Sequence, residues 1–398
     1  MPLTLVLKRG RERPLEQRHP WIFSGAIASL EQGSEVDDIV DVRSVDGKFL
    51  GRAYVNERSQ IVGRVLCFDD VEVDARFFDA RIETALALRN DLPEASKTTA
   101  LRLINAEGDG LPGVVVDRYG DHLVMQVLTL GMERRKHQLA ELLLARTNAK
   151  GVYERSDGEV RRKEGLAETT GLLMGAAPPP LVEVEEHGRE FLIDVRAGHK
   201  TGFYIDQREN RRLIGALARQ KTVLNCFCYT GGFGLYAATA GATHVVQLDA
   251  SEPALEHAVV QAARNRVNDD AVEHACGDAF HVLRVFREEK RTFDVVIMDP
   301  PKLAKSRGSV DAALRGYKDL NLLAMRLLKP GGYLATFSCS GAIPRDLFQK
   351  VVFGAAADAQ RDMQVLGHLS AGGDHPVPLS FPEGTYLKGM LVRAQPRP

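Results

Sequence analysis

The chain has 398 residues and a hydrophobic fraction of 44%, enough for two or three domains with a sizeable buried core. Its formal net charge of -1 argues against coating nucleic acid by bulk charge, so any RNA contact has to come from local basic surfaces. No apolar run is long enough to span a bilayer, Met1 to Gly10 lacks the apolar stretch of a secretory signal, and five cysteines fit neither a disulfide framework nor paired zinc ligands; a cytoplasmic protein without a metal is expected.

Residues 1–71 read as short strands, Ile39–Ser44, Leu50–Val55 and Gln60–Leu66, with turns at Asp46-Gly47 and Asn56-Glu57. That pattern predicts a small barrel-like β domain. Residues 72–190 open with a helix over Asp74–Asn90. Strands follow at Leu101–Ala106, Gly113–Asp117 and Leu123–Leu128, then a helix over about Glu133–Arg146. Turns at Gly108-Asp109-Gly110 and Tyr119-Gly120-Asp121 separate them, and strand-like Leu181–Glu186 and Glu190–Val195 follow an Ala/Pro-rich loop. This is a central α/β domain.

Residues 191–398 change to alternating strands and helices. Strands Thr222–Phe227, Thr243–Leu248, Val272–Ala275, Phe293–Met298 and Gly332–Ser338 are each followed by a helix: Gly234–Ala240, Pro253–Arg266, Phe280–Glu289, Ser309–Leu328 and Arg345–Ala359. Successive βα units predict an α/β fold with a doubly wound parallel sheet and ligands at the carboxyl ends of its strands. A hairpin of Pro376–Ser380 with Tyr386–Val392 is expected to close the sheet antiparallel.

The strand ends carry an ordered set of polar groups. The first ends in Asn225-Cys226-Phe227-Cys228-Tyr229-Thr230-Gly231-Gly232-Phe233-Gly234, where glycines let the backbone approach a ligand. A tight turn with no ligand would look the same, and the spacing is not that of dinucleotide binding. The second strand ends in Asp249, placed to accept bonds from two ribose hydroxyls. After the third come Asp278, a candidate acceptor for an adenine amino group, Ala279, and Phe280 as a stacking face. The fourth ends in Asp299-Pro300-Pro301-Lys302. Any one of these is common; their order resembles the motifs of the class I methyltransferase fold, whose cofactor S-adenosylmethionine has no pyrophosphate. Upstream, Gly198 to Arg208 could lid that cofactor, with Phe203 and Tyr204 against it and Gln207 or Arg208 near its carboxylate, or could be a packed interdomain joint.

The fifth strand ends in Thr336-Phe337-Ser338-Cys339-Ser340-Gly341. An inert buried thiol is the usual state of a lone cysteine. A polar, turn-like setting beside the strand that ends in Asp299 makes Cys339 a candidate nucleophile. Such a group is what carbon 5 of a pyrimidine needs: thiolate addition at carbon 6 makes carbon 5 reactive toward an electrophilic methyl. The thiol must lose its proton, a change that the charge of Asp299 would oppose. Asp299 is therefore expected to orient the base by hydrogen bonding. Core packing is the expected role of Cys226 and Cys228.

At this point the chain is similar to the ribosomal large subunit methyltransferase I family of 23S rRNA cytosine-5 methyltransferases. The likeness rests on His19–Ala26, Val116–Asp121, Gly198–Arg211, Leu224–Gly234, Met298–Lys302, Arg315–Asp319, Phe337–Gly341, Asp374–Pro376, Phe381–Gly384 and Tyr386–Gly389. The resemblance implies an N-terminal PUA domain, a central α/β domain and a C-terminal methyltransferase domain, S-adenosylmethionine as donor, and Cys339 as nucleophile. Many RNA cytosine-5 methyltransferases have a second cysteine after the proline of the Asp-Pro motif; here Pro301 stands there, which leaves the group that removes the carbon-5 proton unassigned. Oligomeric state is open, a homodimer included.

For RNA contact, the basic Lys8-Arg9-Gly10-Arg11-Glu12-Arg13 with Trp21 close behind suits phosphate binding and stacking, or is a solvated terminus. Arg161-Arg162-Lys163, and Lys302 with Lys305 and Arg307, are further candidates or simply solvated charges. An amino-group or small-molecule methyltransferase, and a non-catalytic RNA-binding factor, are the competing readings.

Overall fold

In a computed structural model, residues 3–31, 39–304 and 307–396 are described. The chain divides into two compact units. The first comprises Met1–Gly188, Leu192–Ile205 and Gly373–Gly384; the second comprises Arg189–Phe191, Asp206–Gly372 and Thr385–Pro398.

The first unit begins with β1 (Leu3–Leu7), α1 (Arg13–Glu16), β2 (Trp21–Phe23), β3 (Ile27–Leu30), β4 (Ile39–Arg43), β5 (Phe49–Val55) and β6 (Ile61–Cys67). Among the described residues these strands form one sheet in the order β2-β6-β5-β4-β1-β3. Alternate side chains point inward, so Leu5, Leu7, Val40, Val42 and Val65 meet in a small core. β1, β2 and β3 lie outside the predicted strands; they are three to five residues long, too short for an alternation to show.

Next come α2 (Ala75–Asn90), β7 (Ala100–Asn105), β8 (Val114–Tyr119), β9 (His122–Val127), α3 (Leu130–Glu133), α4 (Lys136–Thr147), β10 (Gly151–Ser156), α5 (Val160–Lys163) and β11 (Thr169–Gly175). Asp74 caps α2 by accepting from the Phe77 amide at 2.9 Å. The strands pair in the order β11-β10-β9-β8-β7. The helix expected over about Glu133–Arg146 is α4, and the short α3 precedes it, separated by Arg135 at φ -110, ψ 0. β12 (Val182–Glu186) and β13 (Arg189–Ile193) make a two-stranded sheet.

The second unit contains α6 (Arg208–Ala216), β14 (Thr222–Cys226), α7 (Gly232–Thr239), β15 (His244–Asp249), α8 (Glu252–Arg264), β16 (Val272–Cys276), α9 (Ala279–Glu288), β17 (Phe293–Met298), α10 (Val310–Leu327), β18 (Leu328–Ser338), α11 (Arg345–Ala359), β19 (Met363–Leu369) and β20 (Lys388–Ala394). Strand order is β16-β15-β14-β17-β18-β20-β19, doubly wound from the centre. The period of two explains why both faces are covered. Leu224, Val246, Val296 and Leu334 face Leu283, Leu320 and Phe348, while Val223, Val245, Val295 and Ala335 face Ile214 and Ala237.

The closing hairpin differs from expectation. It is β19 with β20, and Pro376–Ser380 is not a strand. Pro376 and Pro378 cannot donate to a ladder. The segment carrying them belongs to the first unit, where Phe381 packs edge-on against Trp21 at 4.7 Å.

Candidate active site

The register of the central strands levels their ends. Cys226 stands opposite Met298, and Met298 opposite Thr336. The residues after these positions, Phe227 to Gly232, Asp299 to Lys302, and Cys339 to Gly341, therefore emerge at one edge of the sheet, where open α/β sheets bind ligands.

The glycine turn is tightly wound. Phe227 (φ 58), Tyr229 (φ 50) and Gly231 (φ 79) all sit in the left-handed region. Non-glycine residues there cost energy, and such positions cluster at functional sites. Buried Gln247 buttresses the turn: its side-chain amide donates to the Gly231 carbonyl at 3.1 Å and its oxygen accepts from Asn225 at 2.8 Å. A Cβ on Gly234 would overlap that amide, so a side chain there would force Gln247 to move. Asn225 Oδ1 and Thr230 Oγ1 are buried with no hydrogen-bond partner among the described residues. Buried polar atoms are normally satisfied, and this pair at a turn closed to side chains fits a polar ligand. Gly232 opens α7.

Asp249 is tied to this turn. Its carboxylate accepts from the backbone amides of Tyr229 at 2.8 Å and Ser251 at 3.0 Å. Asp278 is the N-cap of α9 and accepts from the His281 amide at 3.0 Å; Ala279 beside it is buried. Phe280 packs partly onto the core, and Pro301 is exposed.

Asp299 is half-buried and accepts from Gln207 Nε2 at 3.0 Å. Asn210 in turn donates to Gln207 Oε1 at 2.6 Å and to the Ser370 carbonyl at 3.0 Å. Gln207 thus links Asp299 to Asn210. Arg208 is fully buried, 3.5 Å from Glu209. Phe203 and Tyr204 belong to the first unit: the Phe203 amide donates to the Tyr119 hydroxyl, and Tyr204 contacts His199 and Lys200.

Cys339 is half-buried in a turn held by hydroxyls. The Tyr317 hydroxyl lies 3.1 Å from both Ser338 Oγ and Ser340 Oγ. Ser340 Oγ also accepts from the Ala304 amide at 3.2 Å, joining this turn to the loop that begins at Asp299. Buried Lys388, opposite Ser338 in β20, donates to the carbonyls of Ser340 at 2.7 Å and Tyr386 at 2.9 Å. Burial lowers the Lys388 ammonium to about 8, against a raising effect of Cys339. By contrast, burial pushes the Cys226 and Cys228 thiols far up, which makes them inert.

Gln247, Asn210, Tyr317 and Lys388 were missed as site residues. Gln247 had a readable signal, a polar side chain inside an apolar strand. Tyr317 and Lys388 stood only within stretches of family likeness.

The RNA candidates separate. Lys8 is exposed and donates to the Gly25 carbonyl at 3.2 Å, and Arg9 pairs with Asp46 at 2.9 Å. Exposed Arg13 opens α1. Arg11, Leu15, His19, Trp21 and Phe23 line a cavity of about 350 Å³. Trp21 is half-buried, with its indole N–H on Glu107 at 2.8 Å. Arg161 is buried and bonds to Val127 and Glu133, so it is structural; a buried guanidinium requires such partners. Lys302 is exposed, and Lys305 and the Arg307 side chain lie outside the described residues.

A family model for a PUA-like domain matches residues 5–68, and one for an S-adenosylmethionine-dependent methyltransferase matches residues 167–363. The chain is 49% identical to the ribosomal RNA large subunit methyltransferase I of Shewanella frigidimarina, over 99% of this chain and 100% of that one. It is 46% identical to the protein of the same name from Tolumonas auensis, over 99% and 100%. Among solved structures, a Streptococcus mutans protein assigned as a SAM-dependent methyltransferase shares 22% identity and the same fold, with a TM-score of 0.85 over 98% of this chain and 100% of that one. A methyltransferase-like protein solved with SAH matches with a TM-score of 0.86, 22% identity and the same coverage.

Proposed function

The chain belongs to the ribosomal RNA large subunit methyltransferase I family, and on that premise we propose that it methylates carbon 5 of a cytosine in the large-subunit (23S) ribosomal RNA through a transient bond to Cys339. Adenosylmethionine-dependent methylation of ribosomal RNA is the family's activity; the target atom and the covalent route are the further step. One observation carries that step. Of the five cysteines, Cys67, Cys226 and Cys228 are buried and Cys276 ends the edge strand β16, while partly open Cys339 follows the central strand β18, beside the strand that leads into Asp299.

Bound adenosylmethionine supplies an electrophilic methyl group. The glycine turn, Asn225, Phe227, Tyr229, Thr230 and Gly232 would hold it, with Asp249, Asp278, Ala279 and Pro301 along the neighbouring strand ends and Gln207 and Arg208 at the start of the same unit. The Cys339 thiolate adds to carbon 6 of the cytosine, and carbon 5 becomes nucleophilic enough to take the methyl. Asp299, steadied by Gln207, orients the base. Loss of the carbon-5 proton then expels the thiolate. The target base has to leave any stack to reach the sulfur, with exposed Lys302 on the RNA backbone.

The test is direct. Cys339→Ala is expected to abolish methyl transfer while adenosylmethionine binding persists, and rRNA carrying 5-fluorocytosine is expected to trap a denaturant-stable protein–RNA adduct. Full activity of Cys339→Ala would exclude the covalent route, and methylation of 5-fluorocytosine RNA without an adduct would point to a different target atom.

A further inference from the structure

Lysine is almost never fully buried without a partner of opposite charge. Lys388 is 4% exposed, yet its ammonium meets only the carbonyl oxygens of Ser340 and Tyr386, and no carboxylate pairs with it among the described residues. Two carbonyl dipoles offset part of the cost of burying a charge. The antiparallel register places Lys388 opposite Ser338, and its bond to the Ser340 carbonyl ties it to the far side of Cys339. The lysine therefore spans the cysteine's turn.

The charged neighbours divide cleanly. Arg345 at the start of α11 and Lys302 in the loop after β17 disfavour the Lys388 ammonium, and Cys339 favours it. Tyr317, packed from α10, also feels the Cys339 charge. Electrostatic coupling is reciprocal: a thiolate that stabilises an ammonium is stabilised by it in equal measure.

We propose that Lys388 is the positioning residue that holds Cys339 as a thiolate, by fixing a buried ammonium on the turn that carries it. This rests on the reading of Cys339 as the nucleophile. The thiol proton leaves to solvent, and Lys388 keeps its own proton at neutral pH, below the value of about 8 to which burial lowers it. It donates no proton to the substrate, so the base that takes the carbon-5 proton is a different group. The same ammonium favours thiolate departure when the adduct breaks down, so one charge assists both the forming and the breaking of the carbon–sulfur bond. Exposed Lys302 and half-buried Arg345 add positive potential, but only Lys388 is fixed by burial and two hydrogen bonds.

The experiment reads the thiol itself. In full-length protein with Cys276→Ser, which removes the exposed competing sulfur, iodoacetamide labelling of Cys339 is followed against pH and located by peptide mass. The half-maximal rate is expected below the free-thiol value of about 8.5. Lys388→Met is expected to raise that midpoint by about one unit, slowing labelling at neutral pH about tenfold, whereas Lys388→Arg, which keeps the charge, restores a low midpoint. The acid limb of the methylation pH profile should move with the labelling midpoint, which a merely structural lysine would not cause. Melting temperature and adenosylmethionine binding report folding, and Lys388→Gln is read in place of a Met variant that does not fold. A wild-type midpoint at or above about 8.5, or one unmoved by loss of the charge, overturns the proposal. These outcomes are separable from failure of the cytosine reading, since labelling needs neither RNA nor methyl donor.

Discussion

At the scale of single residues, the site depends on side chains that position others. The Tyr317 hydroxyl bridges Ser338 and Ser340 on both sides of Cys339. Tyr317→Phe leaves two buried hydroxyls short of a partner, an expected loss of about 1–3 kcal/mol in stability. Methylation should slow at least about tenfold while adenosylmethionine affinity stays, since a nucleophile displaced by a fraction of an ångström loses rate and not cofactor binding; calorimetric titration beside steady-state kinetics checks the split. At the glycine turn, Gly234→Ala forces a methyl into the Gln247 amide. That overpacking should cost about 1–3 kcal/mol and weaken cofactor binding, read by thermal unfolding with and without ligand. Gln247 was legible in the sequence as a polar residue in Val245-Val246-Gln247-Leu248, but its purpose required knowing that β14 and β15 are neighbours.

At the scale of elements, the parallel sheet was legible and the hairpin was not. Each strand of the sheet is a short, nearly continuous apolar run bounded by a helix, and helix covers on both faces force that pattern. The hairpin misled because Pro376–Ser380 and the true strand β19 are both weakly patterned, and β19 is an edge strand that leaves Val365 and Leu366 exposed. Helix α9 offers an element-level test. Asp278 caps it, so Asp278→Ala should lower stability by about 1 kcal/mol and Asp278→Asn should not, an ordering that denaturant unfolding can resolve. Register matters equally: a one-residue slip of β20 on β18 would turn Lys388 to the opposite face and remove its ammonium from the Cys339 turn.

At the scale of the molecule, a small PUA-like sheet and a methyltransferase sheet share one nearly neutral chain. Buried charges knit the first unit. Glu164 accepts from Asn56, Ser59 and Arg64. Burial alone would raise its carboxyl, but Arg64 and these hydrogen bonds outweigh it and hold the carboxyl below the usual range. A depressed folded value stabilises above the unfolded value and is lost as pH falls through the folded one. Unfolding of this unit, followed through the single tryptophan Trp21, should therefore shift to lower temperature below about pH 4.3. Glu164→Gln, already weaker by about 3 kcal/mol at neutral pH, should respond less to acid, because a broken buried pair has no charge left to lose.

Local pattern was enough to determine the alternation of strands and helices over residues 222–359, the glycine turn, the acids at successive strand ends and the cysteine at the fifth, because each is written in consecutive residues. Tertiary structure alone decided what acts on them. Gln207 reaches Asp299 across 92 positions, and Lys388 reaches the Ser340 carbonyl across 48. It also decided that Arg161, which reads as a basic surface residue, is buried on Glu133. Periodicity reports which face of an element is apolar; it carries no information about which distant polar atom will satisfy a buried donor, and that pairing is settled only when strands choose their neighbours.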